Sequence, residues 1–486
     1  MKISNIVHNN LGFVFQVGLK FAAIALGVLV FRFQNTEFSQ NELAEFTLVN
    51  AYTITILGLI TFGIPQIIQK FYTQNYQDFD QKKQEFAEFW TVFLLLRIFS
   101  YFIAIFIILL TFGFSGSVNL FAIIGLFSAQ FIILTDINFR SVADSTGKSW
   151  QFSLSDFLGK IILVLGLFTI AFSQYFLSFF KNLGLNLNFI FPNIVISNFT
   201  WFIILSILAY LTAFCMDYRW QKKLTPIIFP SFRIVSKIWI QNRSEILFLG
   251  LSGIFTSLFL RTDILILKFF QINSSQLIGY SNSYRLFEIA SVVPSLVVPV
   301  LASRFWQKCQ RENFKIENKT IFEPSFQPNL TENSKLCKNS ANDKIQPEII
   351  KKNLQTFIFG VFILGLICTL LLGFFAPFGF WIIDPFARYS TFSLQTIWAL
   401  SGMLIFNSLS IFLGNLNILL GGFRVELAIS LGNFIVAMIC YFAFIPTFGI
   451  LGAAFASLII YGIDIFLRIF FLWQTWTRYN KITNTK

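Results

Sequence analysis

The chain has 486 residues, of which 56% are hydrophobic and 12% are charged, and it carries a formal net charge of +13. Charged residues make up about a quarter of soluble globular domains, so this composition excludes them and indicates an integral membrane protein. The five cysteines show no CxxC spacing and the single histidine is His8, which excludes a zinc site and a His-based catalytic pair. We therefore predict a membrane protein that holds no metal or other cofactor.

The lengths of the apolar segments predict the transmembrane spans. An α-helix needs about 20 mostly apolar residues to cross a hydrocarbon layer of about 30 Å. The first such segment is too long for the core of a signal peptide, and we interpret it as a permanent span. Twelve segments meet the criterion: residues 11–31, 46–68, 90–112, 119–139, 151–173, 189–215, 246–270, 286–305, 354–376, 394–420, 427–447 and 451–474.

The distribution of Lys and Arg among the loops predicts the orientation of the chain. Alternate loops carry most of the positive charge, so we expect a multi-pass protein of the inner (plasma) membrane with both termini in the cytoplasm. The net charge of +13 is then mainly a topology signal, and it does not indicate a nucleic-acid partner.

A basic cytoplasmic linker, residues 219–245, separates six predicted spans in residues 1–218 from six in residues 246–478. Because six is even, both halves enter the membrane in the same sense, and such repeats enclose a central cleft. Residues 306–353 form a polar cytoplasmic loop for which we expect no fold of its own. The predicted fold class is an all-α polytopic membrane protein with about twelve transmembrane helices in two six-helix lobes.

Several charged residues in or near the spans lie three or four positions from an opposite charge on the same helix. Residues at this spacing share a helix face, so each pair can neutralise itself and needs no functional explanation. The pairs are Asp136 with Arg140, Asp156 with Lys160, Arg285 with Glu288, and Asp464 with Arg468.

The stretch SLFLRTDILILKFF, residues 257–270, carries charges that this spacing does not pair. A charge at the centre of a bilayer costs about 2.5–3.5 kcal/mol on insertion scales, so such residues usually face a bundle interior or an aqueous cavity. Arg261 and Asp263 point about 200° apart on their helix, whereas Arg261 and Lys268, seven positions apart, share one face. We predict that this segment lines a cavity.

Two further spans present cations without an acidic neighbour at helical spacing. Lys20 lies in the first span and Arg97 in the third. Asp263 is nearly the only unpaired carboxylate available to these cations, so the net charge of the bundle interior is predicted to be positive. A positive interior favours an anionic ligand.

Three segments resemble the Wzx-type oligosaccharide flippases of the polysaccharide-biosynthesis family, in the MATE-like MOP exporter superfamily. They occur in the family's order over nearly the whole chain, although the 306–353 loop is longer than the family usually has. The segments are IGYSNSYRLFEIASVVPSLVVPVLASR at 278–304, PTFGILGAAFASLIIY at 446–461 and LITFGIPQIIQKFY at 59–72.

The resemblance implies a function that spacing alone does not show. It implies a flippase that moves an undecaprenyl-diphosphate-linked oligosaccharide across the membrane by alternating access, for polysaccharide or O-antigen biosynthesis. The partners would be this anionic lipid-linked oligosaccharide, membrane lipid, and a polysaccharide polymerase or export machinery. The family's cavity cations correspond to Lys20 and Arg261, and to Arg97 or Arg285. With Asp263 and Lys268, these four cations form the predicted substrate-binding set.

Three other functions are open at this point. A MATE-type drug or cation antiporter would share the fold, but it needs carboxylates in the membrane, and the first span contains Lys20 and no acid. A membrane enzyme such as a polysaccharide polymerase or ligase needs a large outward-facing loop, whereas the largest loop here is predicted to be cytoplasmic; we therefore predict a non-enzyme. A lipid II flippase often has additional carboxy-terminal spans beyond the twelve predicted here.

Overall fold

The computed structural model describes residues 3–61, 79–112, 120–146, 149–182, 197–224, 232–321, 347–419 and 422–484. These residues are almost entirely helical and contain no β-strand. Their helices, in chain order, are α1 (Ile3–Glu37), α2 (Gln40–Thr61), α3 (Phe79–Phe112), α4 (Leu120–Thr146), α5 (Ser149–Asn182), α6 (Asn198–Leu224), α7 (Phe232–Phe269), α8 (Ser274–Ile321), α9 (Pro347–Ile383), α10 (Ser390–Leu419) and α11 (Phe423–Asn484).

The helices confirm the predicted fold class. The last two predicted spans are the two halves of α11, which is interrupted at Gly449, where φ is 58° and ψ is −130°. By length and apolarity alone, seven of the described helices could cross a membrane, and the bent helix α7 makes eight. Helix α8 is not among these eight when only the described residues are considered. The predicted spans 46–68 and 189–215 extend beyond the described residues.

The helices pack as two lobes that follow the two halves of the sequence. In the first lobe, α1 packs on α5, and α4 packs on α2 and α6; in the second, α10 packs on α8, α9 and α11, and α11 packs on α7. The first core contains edge-to-face rings of Phe38, Phe46, Phe199 and Phe202, with centroids 5.6–6.5 Å apart. The second core surrounds the fully buried side chains of helices α8, α10 and α11.

The two lobes meet mainly where α2 packs on α7 and α8. At one crossing a Cβ atom added to Gly58 of α2 would lie 1.9 Å from the Cβ of Ser257 in α7. Such close helix approach depends on small residues, as is common in membrane bundles. The interface therefore brings the backbones of the two lobes into direct contact.

The helices extend into both segments predicted to be loops. Helix α8 continues to Ile321 and α9 begins at Pro347, so only residues 322–346 of the predicted polar loop lie outside the described residues. Similarly, α6 ends at Leu224 and α7 begins at Phe232 within the basic linker. These extensions are rich in Lys, Glu and Gln, which are good helix formers in water. Most of the motif at 59–72 lies outside the described residues.

Candidate functional site

Helix α7 bends within the charged stretch identified from the sequence. Its two parts, Leu247–Phe259 and Arg261–Phe269, meet at an angle of 46°. Next to the bend, the Thr262 hydroxyl donates to the carbonyl of Leu258, and the Asp263 carboxylate accepts the backbone N–H of Ile264 at 2.7 Å. Side chains that bond to backbone groups in this way commonly accompany helix bends. Directly after the bend, Arg261 and Asp263 are buried inside the protein.

Arg261 is buried, and its partners come from the neighbouring helix α8. Its guanidinium group forms an ion pair with Glu288 and lies 4.6 Å from the ring centroid of Tyr284. Asp263, 2% exposed, accepts a hydrogen bond from the Tyr280 hydroxyl. We call these five residues the Arg261 group. The group shows that Arg261 does have an acidic partner, which helical spacing could not reveal because it lies on another helix.

Arg285 occupies the interface between the lobes. Its guanidinium carbon lies 4.7 Å from the ring centroid of Phe31 in α1 and 5.2 Å from that of Phe46 in α2. Cation–π contacts of this kind favour a buried Arg without neutralising its charge. Within the described residues its Nη1 makes no hydrogen bond, and Glu288, the partner predicted from spacing, pairs with Arg261 instead. The predicted Arg285–Glu288 pair is therefore wrong.

A set of polar contacts closes the interface at the end of the bundle that carries the α1–α2 turn. Loop charge predicts that this end faces outward. The contacts are a reciprocal amide pair between Asn35 and Asn282 at 3.1 and 3.4 Å, a hydroxyl contact from Thr47 to Ser281 at 3.3 Å, and Gln40 to Ser275 at 2.7 Å.

The face of α8 that meets α2 becomes exposed with increasing distance from this closed end. Residues seven apart share a helix face, so Ser281, Glu288 and Ser295 form one stripe. Ser281 is 7% exposed, the Glu288 side chain is 43% exposed, and Ser295 is exposed. The stripe therefore runs from a sealed contact to exposed positions, and we interpret this gradient as a cleft that opens between the lobes. Arg285 lies at the head of that cleft, and the Arg261–Glu288 pair lies on its wall.

The cations of the first lobe lie elsewhere. Lys20 forms an ion pair with Asp156 of α5 at 2.8 Å, so it has an acidic partner on another helix. Asp156 is also 3.9 Å from Lys160, which confirms the predicted pair on one helix face. Arg97 is fully buried in α3, and none of its guanidinium nitrogens hydrogen-bonds within the described residues. The structure does not bring these side chains to the Arg261 group.

Lys268 is also separate from the group. It is exposed in the last turn of α7, about two turns beyond the buried Arg261. Of the predicted site residues, the structure thus brings together Arg261, Asp263 and Arg285. Sequence reasoning missed Tyr280 and Tyr284, although both lie in the motif at 278–304 that carries the family resemblance.

In a second buried cluster, one Arg is shared by two carboxylates, and each of the three charged groups has an oppositely charged hydrogen-bond partner. Arg468 donates from Nε to Asp464 at 2.9–3.0 Å, as predicted, and from Nη1 to Glu426 at 2.7–2.9 Å. Asn433 donates to the same Asp464. A buried pair with this many hydrogen bonds is typical of a structural role. The side chains of the predicted Asp136–Arg140 pair lie outside the described residues.

Comparison with known proteins gives matches in structure alone. No protein-family model matches the sequence, and no curated protein matches it. The chain is similar to an outward-facing multidrug-resistance MATE transporter of the MOP superfamily. The aligned residues cover 99% of this chain and 96% of that transporter, with 13% identity and a TM-score of 0.62. The chain has the MATE fold. The Vibrio cholerae MATE transporter VcmN matches with 12% identity, 98% coverage of both chains and a TM-score of 0.60.

A third structure that the chain resembles is described by the chemistry of its pocket. It is a MOP superfamily transporter from Pyrococcus furiosus, described as having a binding pocket of reverse polarity that suggests a different function. The aligned residues cover 99% of this chain and 93% of that transporter, with 12% identity and a TM-score of 0.54. The MATE fold agrees with the fold that the sequence resemblance implies; membership of the MOP superfamily and of its Wzx-type subfamily stays a prediction.

Proposed function

We propose that the protein moves an undecaprenyl-diphosphate-linked oligosaccharide across the membrane by alternating access of the cleft between its lobes. The observation that carries this proposal is Arg285, which is buried at the head of the cleft with a guanidinium nitrogen that has no hydrogen-bond acceptor among the described residues. A diphosphate concentrates negative charge, and the planar fork of Arg donors matches its oxygens. Arg285 can thus serve as the first contact for the diphosphate.

The carboxylates of this region support an anionic rather than a cationic substrate. Asp263 already accepts two hydrogen bonds, and Glu288 is engaged by Arg261. An antiporter for cations needs carboxylates that are available for the substrate, whereas these two are occupied. The reverse-polarity pocket described for the Pyrococcus furiosus transporter is consistent with a MATE fold that serves more than one charge class.

The cleft also offers groups for the uncharged parts of such a substrate. Ser291 and Ser295 place hydroxyl groups along the cleft side of α8, where they can hydrogen-bond to sugars. The polyprenyl chain would stay in the lipid phase beside the cleft. We further propose that a polysaccharide polymerase or export machinery receives the oligosaccharide on the outer side of the inner membrane.

The test is a flipping assay with the purified full chain. Vesicles of phosphatidylethanolamine and phosphatidylglycerol receive a trace of undecaprenyl diphosphate that carries a fluorescently labelled oligosaccharide, and dithionite reports the label exposed outside. We expect the protein to expose the inner-leaflet label, and Arg285→Gln to slow exposure at least about tenfold, since one charge-assisted contact contributes about 1.5–3 kcal/mol. Rates equal to those of protein-free vesicles would refute the proposal.

Two controls make the result specific. Arg424→Gln removes an exposed Arg that lies 5.3 Å from the ring of Phe248, away from the cleft, and should flip like the unmodified protein. A labelled phospholipid should not be flipped. Faster flipping of labelled lipid II than of the oligosaccharide carrier would assign the protein to the cell-wall precursor instead.

A further inference from the structure

A groove lies on the first lobe, away from the cleft between the lobes. Helices α3 and α6 form its walls, and α4, on which both pack, forms its floor. Its volume is about 350 Å³. The residues that define it are Ile98 from α3, Ile132 and Thr135 from α4, and Leu211, Phe214 and Tyr218 from α6. The Thr135 hydroxyl donates to the carbonyl of Phe131 at 2.9 Å, so the lining is apolar in effect.

The groove is open to the membrane. Ile98 on one wall is 43% exposed, and Leu211 on the other is 45% exposed. In a multi-pass membrane protein, the medium outside these side chains is hydrocarbon. An apolar recess of this kind offers water no hydrogen-bond partners, so a hydrocarbon chain is the occupant that its chemistry accepts.

One end of the groove leads to positive charge. On α6 the groove residues Leu211, Phe214 and Tyr218 are spaced by three and four, and Lys222 continues the same stripe four residues later. Lys222 and its neighbour Arg219 are both exposed. Four residues of helix advance about 6 Å, so Lys222 lies one turn beyond the apolar part of the groove. An apolar groove that ends in two cations is complementary to a lipid with an anionic headgroup.

We propose that this groove binds an anionic phospholipid. One acyl chain lies between α3 and α6, against the floor formed by Ile132 and Thr135. The phosphate lies at Lys222 and Arg219, where basic residues next to a span attract anionic headgroups. The site is separate from the cleft that contains Arg285, so it does not depend on the transported substrate.

The test compares lipids bound to the purified full chain in detergent by native mass spectrometry. Phosphatidylglycerol and phosphatidylethanolamine with identical chains are titrated separately. We expect one phosphatidylglycerol to bind at least tenfold more tightly than phosphatidylethanolamine. The Lys222→Gln/Arg219→Gln variant should keep one bound lipid and lose the preference between headgroups. Equal binding of the two lipids by the unmodified protein would overturn the proposal.

A second set of variants tests the position of the chain. Leu211→Trp fills the groove and should lose the tightly bound lipid, whatever its headgroup. Leu165→Trp introduces the same side chain at a site on α5 that is 59% exposed and outside the groove, and should bind as before. If Leu211→Trp does not fold, Ile98→Trp fills the groove from the opposite wall. Retention of phosphatidylglycerol by the folded filling variant would contradict the proposed site.

Discussion

The amide pair between Asn35 and Asn282 provides a direct test of how the two lobes are held closed. Both side chains are buried, at 0% and 1% exposure, and they hydrogen-bond to each other in both directions. Alternating access requires these contacts at the predicted outward end to separate. We therefore expect the double variant Asn35→Ala/Asn282→Ala to increase the population that is open at this end.

The size of the shift can be worked from the two hydrogen bonds. Each contributes a net of about 0.5–1.5 kcal/mol, and removal of both partners leaves no amide unsatisfied. The loss is then about 1–3 kcal/mol, which changes the ratio of closed to open protein by about 5- to 150-fold. Asn35 also donates to the carbonyl of Phe31 at 3.0 Å within its own helix, a bond that does not link the lobes.

Double electron–electron resonance can measure this ratio in vesicles. Spin labels at Asn41→Cys and Arg388→Cys, both exposed near the closed end, report the separation of the lobes in a chain without its five native cysteines. We expect a longer-distance population to increase in the double variant. Asn415→Ala is the matched control, since its amide donates to Ile411 at 2.8 Å within α10. A distance distribution like that of the unmodified protein would refute the assignment of this pair as a gate.

Two predictions concern stability, measured by thermal unfolding in detergent. Arg468→Met leaves Glu426 and Asp464 as buried carboxylates without their cation, so we expect a loss of about 3–5 kcal/mol; an unchanged melting temperature would contradict the structural role of the cluster. Gly449→Ala forces a side chain into a backbone conformation with φ of 58°, at a cost of about 1–3 kcal/mol. Gly462→Ala, which meets open space, should not lower the melting temperature, and equal losses in the two variants would disprove the strain at Gly449.

Charged pairs show how far local sequence reasoning reaches. The pairs Asp156–Lys160 and Asp464–Arg468 are present as predicted, because residues four apart on one helix are neighbours wherever the helix lies. The same rule fails for Glu288, which turns to Arg261 across a helix interface. Spacing along one helix carries no information about a competing partner from another helix.

The sequence by itself determined that this is a helical protein with membrane-spanning segments, and it predicted their approximate positions and a division into two halves. These properties follow from segment length and composition, because every backbone polar group in hydrocarbon must be bonded within its own helix. Only the tertiary structure decided that Lys20 is paired with Asp156, that Arg285 lies between the lobes without a direct ion pair among the described residues, and that the interface is closed at one end. Each of these depends on residues far apart in the chain, whose meeting is set by how the helices pack.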